Sequence, residues 1–460
     1  MDLSHEKGVA MRTPIPWQHF RLPPKWIAGL LAVGFLHFAL WYVDTAELRQ
    51  QRADPAASAF ANAGRFSSTN TDNWVKQLQD QIKQNPNYSM NYTRLGAAYL
   101  QKARETGDPN YYAKAETALS RALELNPDDF LAMAQRGSLS LSRHQFAEAL
   151  VWAKKAQTIS TENVLIYGVM GDAQVELGQY EQALETFQKM VDLRPDLSSY
   201  ARVSYIRELH GDTEGAVEAM RWAVQAGGPN AENTNWVRVQ LGHLYFNRGQ
   251  LKDAEQMYRE ALKVNPGYAP ALAGLGRVLA ARGRYADAIQ SYQNAIQYIP
   301  LPEYVIALGE VYEASGKPEL AQQQYDLVHA IEKLYAANGV NSDLEMALFA
   351  ANHLSPGQAP EDVVARARQA LEERPTLYAA DTLAWALYQA GDYVKAQTYS
   401  QQALRLGTQD ALLLFHAGMI ANQLGDKAQA QDYLEQALET NPYFSVLYAK
   451  QARQTLEELK

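Results

Sequence analysis

Apolar and polar positions recur along most of this chain with the period of an α-helix, in blocks that repeat. One block places Leu241, Gly242 and Tyr245 on a helical face and breaks at Gly249. It resumes with Ala254, Tyr258, Ala261 and Leu262 and stops at Pro266. The next repeats the pattern at Leu275, Gly276, Leu279, Gly283, Ala288, Tyr292, Ala295, Ile296 and Pro300, and a third runs from Leu308-Gly309 through Tyr312, Gly316 and Ala321 to Tyr325. Gly242 and Gly276 are 34 residues apart, and Gly276 and Gly309 are 33 apart. Each block predicts two helices and a tight turn. Small residues such as Gly242 and Ala254 let the helices approach, and Tyr245 and Tyr258 fill the remaining space. Gly249 permits the turn and Pro266 ends the second helix. One such pair cannot bury its apolar face alone, so neighbours must stack into a continuous core.

Upstream, a copy runs from Leu95-Gly96 through Tyr99 to Pro127, with a longer inter-helix turn at Arg104–Pro109. Others centre on Gly137, on Gly171 and on Tyr200 with Gly211, and Trp74 to Pro86 reads as a lone second helix. Beyond Tyr325 a helix extends through Ala337 and turns at Asn338-Gly339. A weak copy follows from Leu344 to Pro375, interrupted by Ser355-Pro356-Gly357. Regular spacing returns at Leu383, and the last copy ends at Pro442. Residues 443–460 read as one capping helix with a polar outer face. The glycine–aromatic–alanine–proline signature resembles the tetratricopeptide repeat (TPR), a helix–turn–helix of 34 residues, in roughly ten copies. The resemblance implies an all-α fold, a right-handed superhelical TPR solenoid over residues 73–442. The segments Ala380–Gly391 and Phe415–Ile420 also resemble bacterial membrane-anchored TPR proteins, which implies an envelope setting.

The pattern at the other end is different. Residues 26–43 (WIAGLLAVGFLHFALWYV) carry no charge. As a helix they span about 27 Å, close to the ~30 Å hydrocarbon core of a bilayer. Trp26, Trp41 and Tyr42 stand at the ends, where aromatic rings favour the interface. Lys7, Arg12, Arg21 and Lys25 precede the segment, whereas Asp44 and Glu47 follow it. The positive-inside rule then places residues 1–25 in the cytoplasm and the repeats outside, on a single-pass cell-membrane anchor. Asp44 at the −3 position for cleavage after Ala46 argues against a cleaved signal peptide. Residues 44–72, rich in Ala, Ser, Asn and Thr, read as a flexible tether of roughly 30 Å reach.

Composition narrows the chemistry. The chain has no cysteine, which removes disulfides, thiolate metal sites and cysteine nucleophiles. Its formal charge of −9, without a dense Lys/Arg run, gives no basic face for nucleic acid. Its nine histidines lack ligand spacing, and no P-loop, HExxH or GxSxG motif is present. These features predict no cofactor and no enzyme activity.

The TPR resemblance implies that the first helix of each pair lines a concave groove for a protein or peptide partner. Mapped onto this chain, the groove residues are Tyr205, Trp236, His243, Phe246 and Arg277 in the middle of the array. Towards the C-terminus they are Asp381, Trp385, Tyr388, Phe415, Met419 and Asn422. Asp381, Trp385 and Tyr388 share one helical face by i, i+4, i+7 spacing. Aromatic side chains there would anchor a partner, or would pack between repeats. Ala201, Val239 and Ala273 occupy positions at which a two-carboxylate clamp needs polar residues. The leading expectation is a membrane-tethered scaffold. Its rivals are an assembly factor for an exported client and an accessory enzyme with an unrecognised site.

Overall fold

Short polar side chains start many of the helices. The Asp129 carboxylate accepts hydrogen bonds from the Leu131 and Ala132 amides at 3.1 and 3.0 Å, and Asp196 and Ser199 form a reciprocal capping box. In the computed structural model, which describes residues 68–459 except 230, 355 and 356, twenty-two α-helices follow one another among the described residues, with no strand. They are α1 (Ser68–Gln84), α2 (Ser89–Thr106), α3 (Asn110–Leu125), α4 (Phe130–Ser142), α5 (Phe146–Ile159), α6 (Val164–Glu176), α7 (Tyr180–Leu193) and α8 (Leu197–Leu209). The middle of the array is α9 (Thr213–Ala226), α10 (Glu232–Asn247), α11 (Leu251–Val264), α12 (Ala269–Ala281), α13 (Tyr285–Tyr298), α14 (Pro302–Ala314) and α15 (Pro318–Ala337). The remainder is α16 (Asp343–Asn352), α17 (Pro360–Glu373), α18 (Leu377–Gln389), α19 (Tyr393–Ala403), α20 (Ala411–Gln423), α21 (Lys427–Thr440) and α22 (Tyr448–Leu459). Among these residues no helix is long and apolar enough to cross a membrane. The apolar segment 26–43 and most of the tether lie outside the described residues.

From α2 onward, helices pair and stack as the repeat pattern requires. A Cβ placed on Gly242 of α10 would lie 2.5 Å from the Tyr258 ring of α11, and one on Gly276 would lie 3.0 Å from Tyr292. Tyr258 is fully buried, so glycine on the first helix makes room for the aromatic ring on the second. The core therefore runs along the array as a chain of clusters rather than as one central mass.

Three boundaries differ from the expectation. α1 begins by Ser68, inside the stretch read as tether, and buries Thr71. The extra residues near Arg104 lengthen α2 to 18 residues instead of lengthening its turn, because Gln101–Thr106 holds no helix breaker before Gly107. The capping helix starts at Tyr448 rather than Tyr443, where the Ser445 hydroxyl accepts the Leu447 and Tyr448 amides at 3.2 and 3.1 Å.

Successive coils of the solenoid touch. The Asn341 amide donates to the Arg143 carbonyl at 3.0 Å, and His144 Nδ1 lies 2.7 Å from the Asn341 carbonyl, 197 residues away. Arg374 Nε bonds Glu176 Oε2 at 2.5 Å across 198 residues, and the Leu377 amide donates to the Tyr180 hydroxyl at 2.9 Å across 197. The constant separation corresponds to roughly six 34-residue repeats. Each contact sets the turn inside one pair against the loop between two later pairs. Gly178 and Gly211 occupy such turns with φ of 67° and 78°, which favours glycine. A Cβ on either would also strike the carbonyl oxygen of Pro375 or Gly407.

Candidate functional site

The first helices of the middle repeats carry the predicted groove residues, and contact between coils decides what they can do. On α10, Trp236 is exposed at 40%. His243, two turns further on the same face, is partly buried, and its Nδ1 lies 2.8 Å from the Tyr258 hydroxyl. Burial, aided by the Arg277 charge, lowers the His243 pKa to about 3, so the ring is neutral at physiological pH. Phe246 is buried, and the Arg277 guanidinium covers its ring at 4.0 Å from the centroid. Phe246 therefore supports Arg277 and is not itself part of the wall. Tyr205 on α8 is partly buried near Glu176 and Arg374, and desolvation pushes its hydroxyl well above the usual phenol range.

Arg277 opens onto a cavity of about 130 Å³ built by both coils. The earlier coil contributes Glu208 and Asn247, and the later one Tyr378, Asp410 and Asn441. Glu208 accepts a hydrogen bond from Asn247 at 3.1 Å, while burial raises its carboxyl pKa to about 7. Asp410 caps α20 through the Leu412 and Leu413 amides at 2.9 and 3.4 Å, and burial raises its pKa too. Sequence reasoning missed these residues. Glu208 follows Tyr205 by three positions and was legible as its helical neighbour. Tyr378 and Asp410 reach the same cavity only because of the coil register.

The C-terminal residues are also brought together, but as interior. Asp381, Trp385, Phe415 and Met419 are between 0% and 5% exposed and belong to one packed cluster or its immediate surroundings. Trp385 is stacked between Tyr388 and His416, with centroids at 4.6 and 4.1 Å, and its Nε1 donates to Asn352 Oδ1 at 2.9 Å. Phe415 stacks on Tyr448 at 5.3 Å, and the Thr455 hydroxyl approaches Met419 Sδ at 3.7 Å. Asp381 Oδ2 holds His416 Nδ1 at 2.9 Å. Tyr388 and Asn422 remain partly exposed at the edge. This corrects the expected groove wall. The face of α18 that presents Asp381 and Trp385 is occupied by α16, α20 and α22, so it offers a partner no surface.

The Asp381–His416 pair has the composition of an acid–base dyad. Its free atoms, Asp381 Oδ1 and His416 Nε2, are buried without hydrogen-bond partners. With both residues sealed from solvent, a substrate has no route to the imidazole. Among the described residues no group of three or more His, Asp or Glu side chains could hold a metal ion.

Tetratricopeptide-repeat family models match residues 165–197, 239–304 and 411–444, which fall on α6–α7, α10–α14 and α20–α21 with the loop that follows. The formate-dependent nitrite reductase complex subunit NrfG of Escherichia coli O157:H7 is 28% identical over 167 residues, 35% of this chain and 77% of its own length. The human mitochondrial import receptor subunit TOM70 is 25% identical over 148 residues, 32% of this chain but only 24% of its own. The crystal structure of TTC0263, a thermophilic TPR protein from Thermus thermophilus, covers 44% of this chain and 99% of its own at 24% identity, with a TM-score of 0.36. Small helix residues set against buried aromatics in pair after pair, and repeat matches in three parts of the array, establish that the chain belongs to the tetratricopeptide-repeat family.

Proposed function

We propose that this protein is a non-enzymatic scaffold that holds a protein or peptide partner on the inner face of its solenoid, tethered to the cell membrane through residues 26–43. The observation that carries the reading is the continuity of the array. The described residues from Ser68 to Leu459 form packed helices, paired from α2 to α21, and the Asp381–His416 pair among them is sealed. The inner surface of the middle repeats, with Trp236 exposed and Arg277 beside an open polar cavity, is the part suited to a partner. NrfG and TOM70 are by name subunits of larger assemblies, which favours the same class of role.

The basic residues before position 26 and the acidic residues after position 43 favour an N-terminus in the cytoplasm and repeats outside it. Protease added to intact spheroplasts should then digest the repeats and spare a small N-terminal fragment. Digestion only after permeabilisation would reverse the orientation. Likeness to a subunit of a reductase complex also supports a second reading, an assembly factor for an exported enzyme subunit. Stoichiometric co-purification supports the scaffold. Crosslinks confined to unassembled client support the assembly factor.

A further inference from the structure

The longest helix of the array carries an apolar stripe that the described residues leave uncovered. α15 has 20 residues, whereas α11 and α13, the second helices of the two preceding pairs, have 14 each. Its inner face buries Ala321, Tyr325, Val328 and Ile331. On the outer face, Leu320, Leu327 and Leu334 recur every seven residues and are exposed at 37%, 39% and 47%. Exposed Gln323, Ala330 and Ala337 lie between and beyond them. Single exposed leucines are ordinary on a protein surface, but a heptad row is the seam of a two-helix interface. The additional length of α15 is what supplies Leu334 and Ala337.

Charge selects the occupant. Glu319, Asp326 and Lys333 share one heptad position, each immediately before a leucine of the row, and all three are exposed. If a second α15 lies antiparallel across a two-fold axis at Leu327, Leu320 faces the other copy's Leu334. Glu319 then approaches the other copy's Lys333, twice per pair. Asp326 meets its own symmetry mate, the one unfavourable contact. A parallel arrangement loses the Glu319–Lys333 match. We propose that the outer face of α15 docks a second copy of this chain, antiparallel and centred on Leu327. One helix pair covers less than the ~800 Å² per partner of a standard interface, so the association is weak and reversible.

Because the natural chain has no cysteine, single substitutions report the geometry directly. In the full-length chain, Leu327→Cys should form an intermolecular disulfide about tenfold faster than Val394→Cys, an exposed control on α19, since docking raises the local thiol concentration. Differently tagged Leu320→Cys and Leu334→Cys chains should crosslink to each other faster than either does to itself. Asp326→Asn should speed the Leu327→Cys reaction. Equal rates at positions 327 and 394 overturn the proposal. Fast self-crosslinking at both 320 and 334 also overturns it, because it signals a parallel pair.

Discussion

Replacing Trp385 with alanine separates the packing role of this residue from the groove role expected of it. The indole is 2% exposed and is held by Tyr388, His416, Phe415 and Tyr448 at centroid distances from 4.1 to 6.0 Å. Truncating a buried Trp costs about 3–5 kcal/mol through lost transfer energy and the remaining cavity. The lost bond to Asn352 leaves no orphaned acceptor, because the Tyr448 hydroxyl still donates to Asn352 Oδ1 at 3.1 Å. That keeps the cost within the range for cavity formation and adds no buried unsatisfied group. Trp385→Phe, which keeps most of the apolar contact, should cost about 1–2 kcal/mol. Urea unfolding followed by circular dichroism gives the global value. Amide exchange gives the location, because repeat arrays lose stability locally. Protection should fall first in α16, α18, α20 and α22. A Trp385→Ala chain within about 1 kcal/mol of the parent, with native exchange, would refute the buried assignment.

Three further outcomes follow from the coil contacts and the inner face. Arg374 bonds Glu176 at 2.5 Å and Glu345 at 2.7 Å, so Arg374→Ala should destabilise by about 1–3 kcal/mol and speed exchange of the Asn341 and Leu377 amides, which donate across the coils. Unchanged exchange at those two amides would show that Arg374 does not hold the coils together. Glu208 has a folded pKa near 7 against 4.5 for the free side chain, so the folded state retains a proton that the unfolded chain releases between those values. Its contribution is complete below pH 4.5 and is lost as pH rises through 7, and Glu208→Gln should remove a loss on the order of 3 kcal/mol. A pH–stability curve identical in the variant would contradict this. With a folded pKa of about 3, the His243 imidazole should show no chemical-shift titration between pH 5 and 8, and an inflection near 6.5 would mean that the ring is solvated.

The helix pairs are legible because their packing is local. Gly242 and Tyr258, or Gly276 and Tyr292, meet within one repeat, so the residue pattern encodes the contact directly. The extension of α15 to Ala337 and the turn at Gly339 are legible for the same reason. The inner face is less so. Positions that line a groove also pack between neighbouring first helices, and the choice depends on the pitch of the solenoid. Pitch accumulates from small rotations at every repeat. That is why the sequence puts Trp385 and Phe415 on a wall while the structure buries them, and why Asp410 and Tyr378 give no signal. The contacts across 194 to 198 residues are likewise absent from any one repeat.

The most direct test of the scaffold assignment places a photo-crosslinking amino acid at Trp236 or Tyr205 of the full-length protein in intact cells, with Val394 on α19 as the outer control. Adducts identified by mass spectrometry should contain one recurrent partner from the two inner positions and not from position 394. No adduct at positions 236 and 205, or the same mixture from all three positions, would contradict a partner held on the inner face.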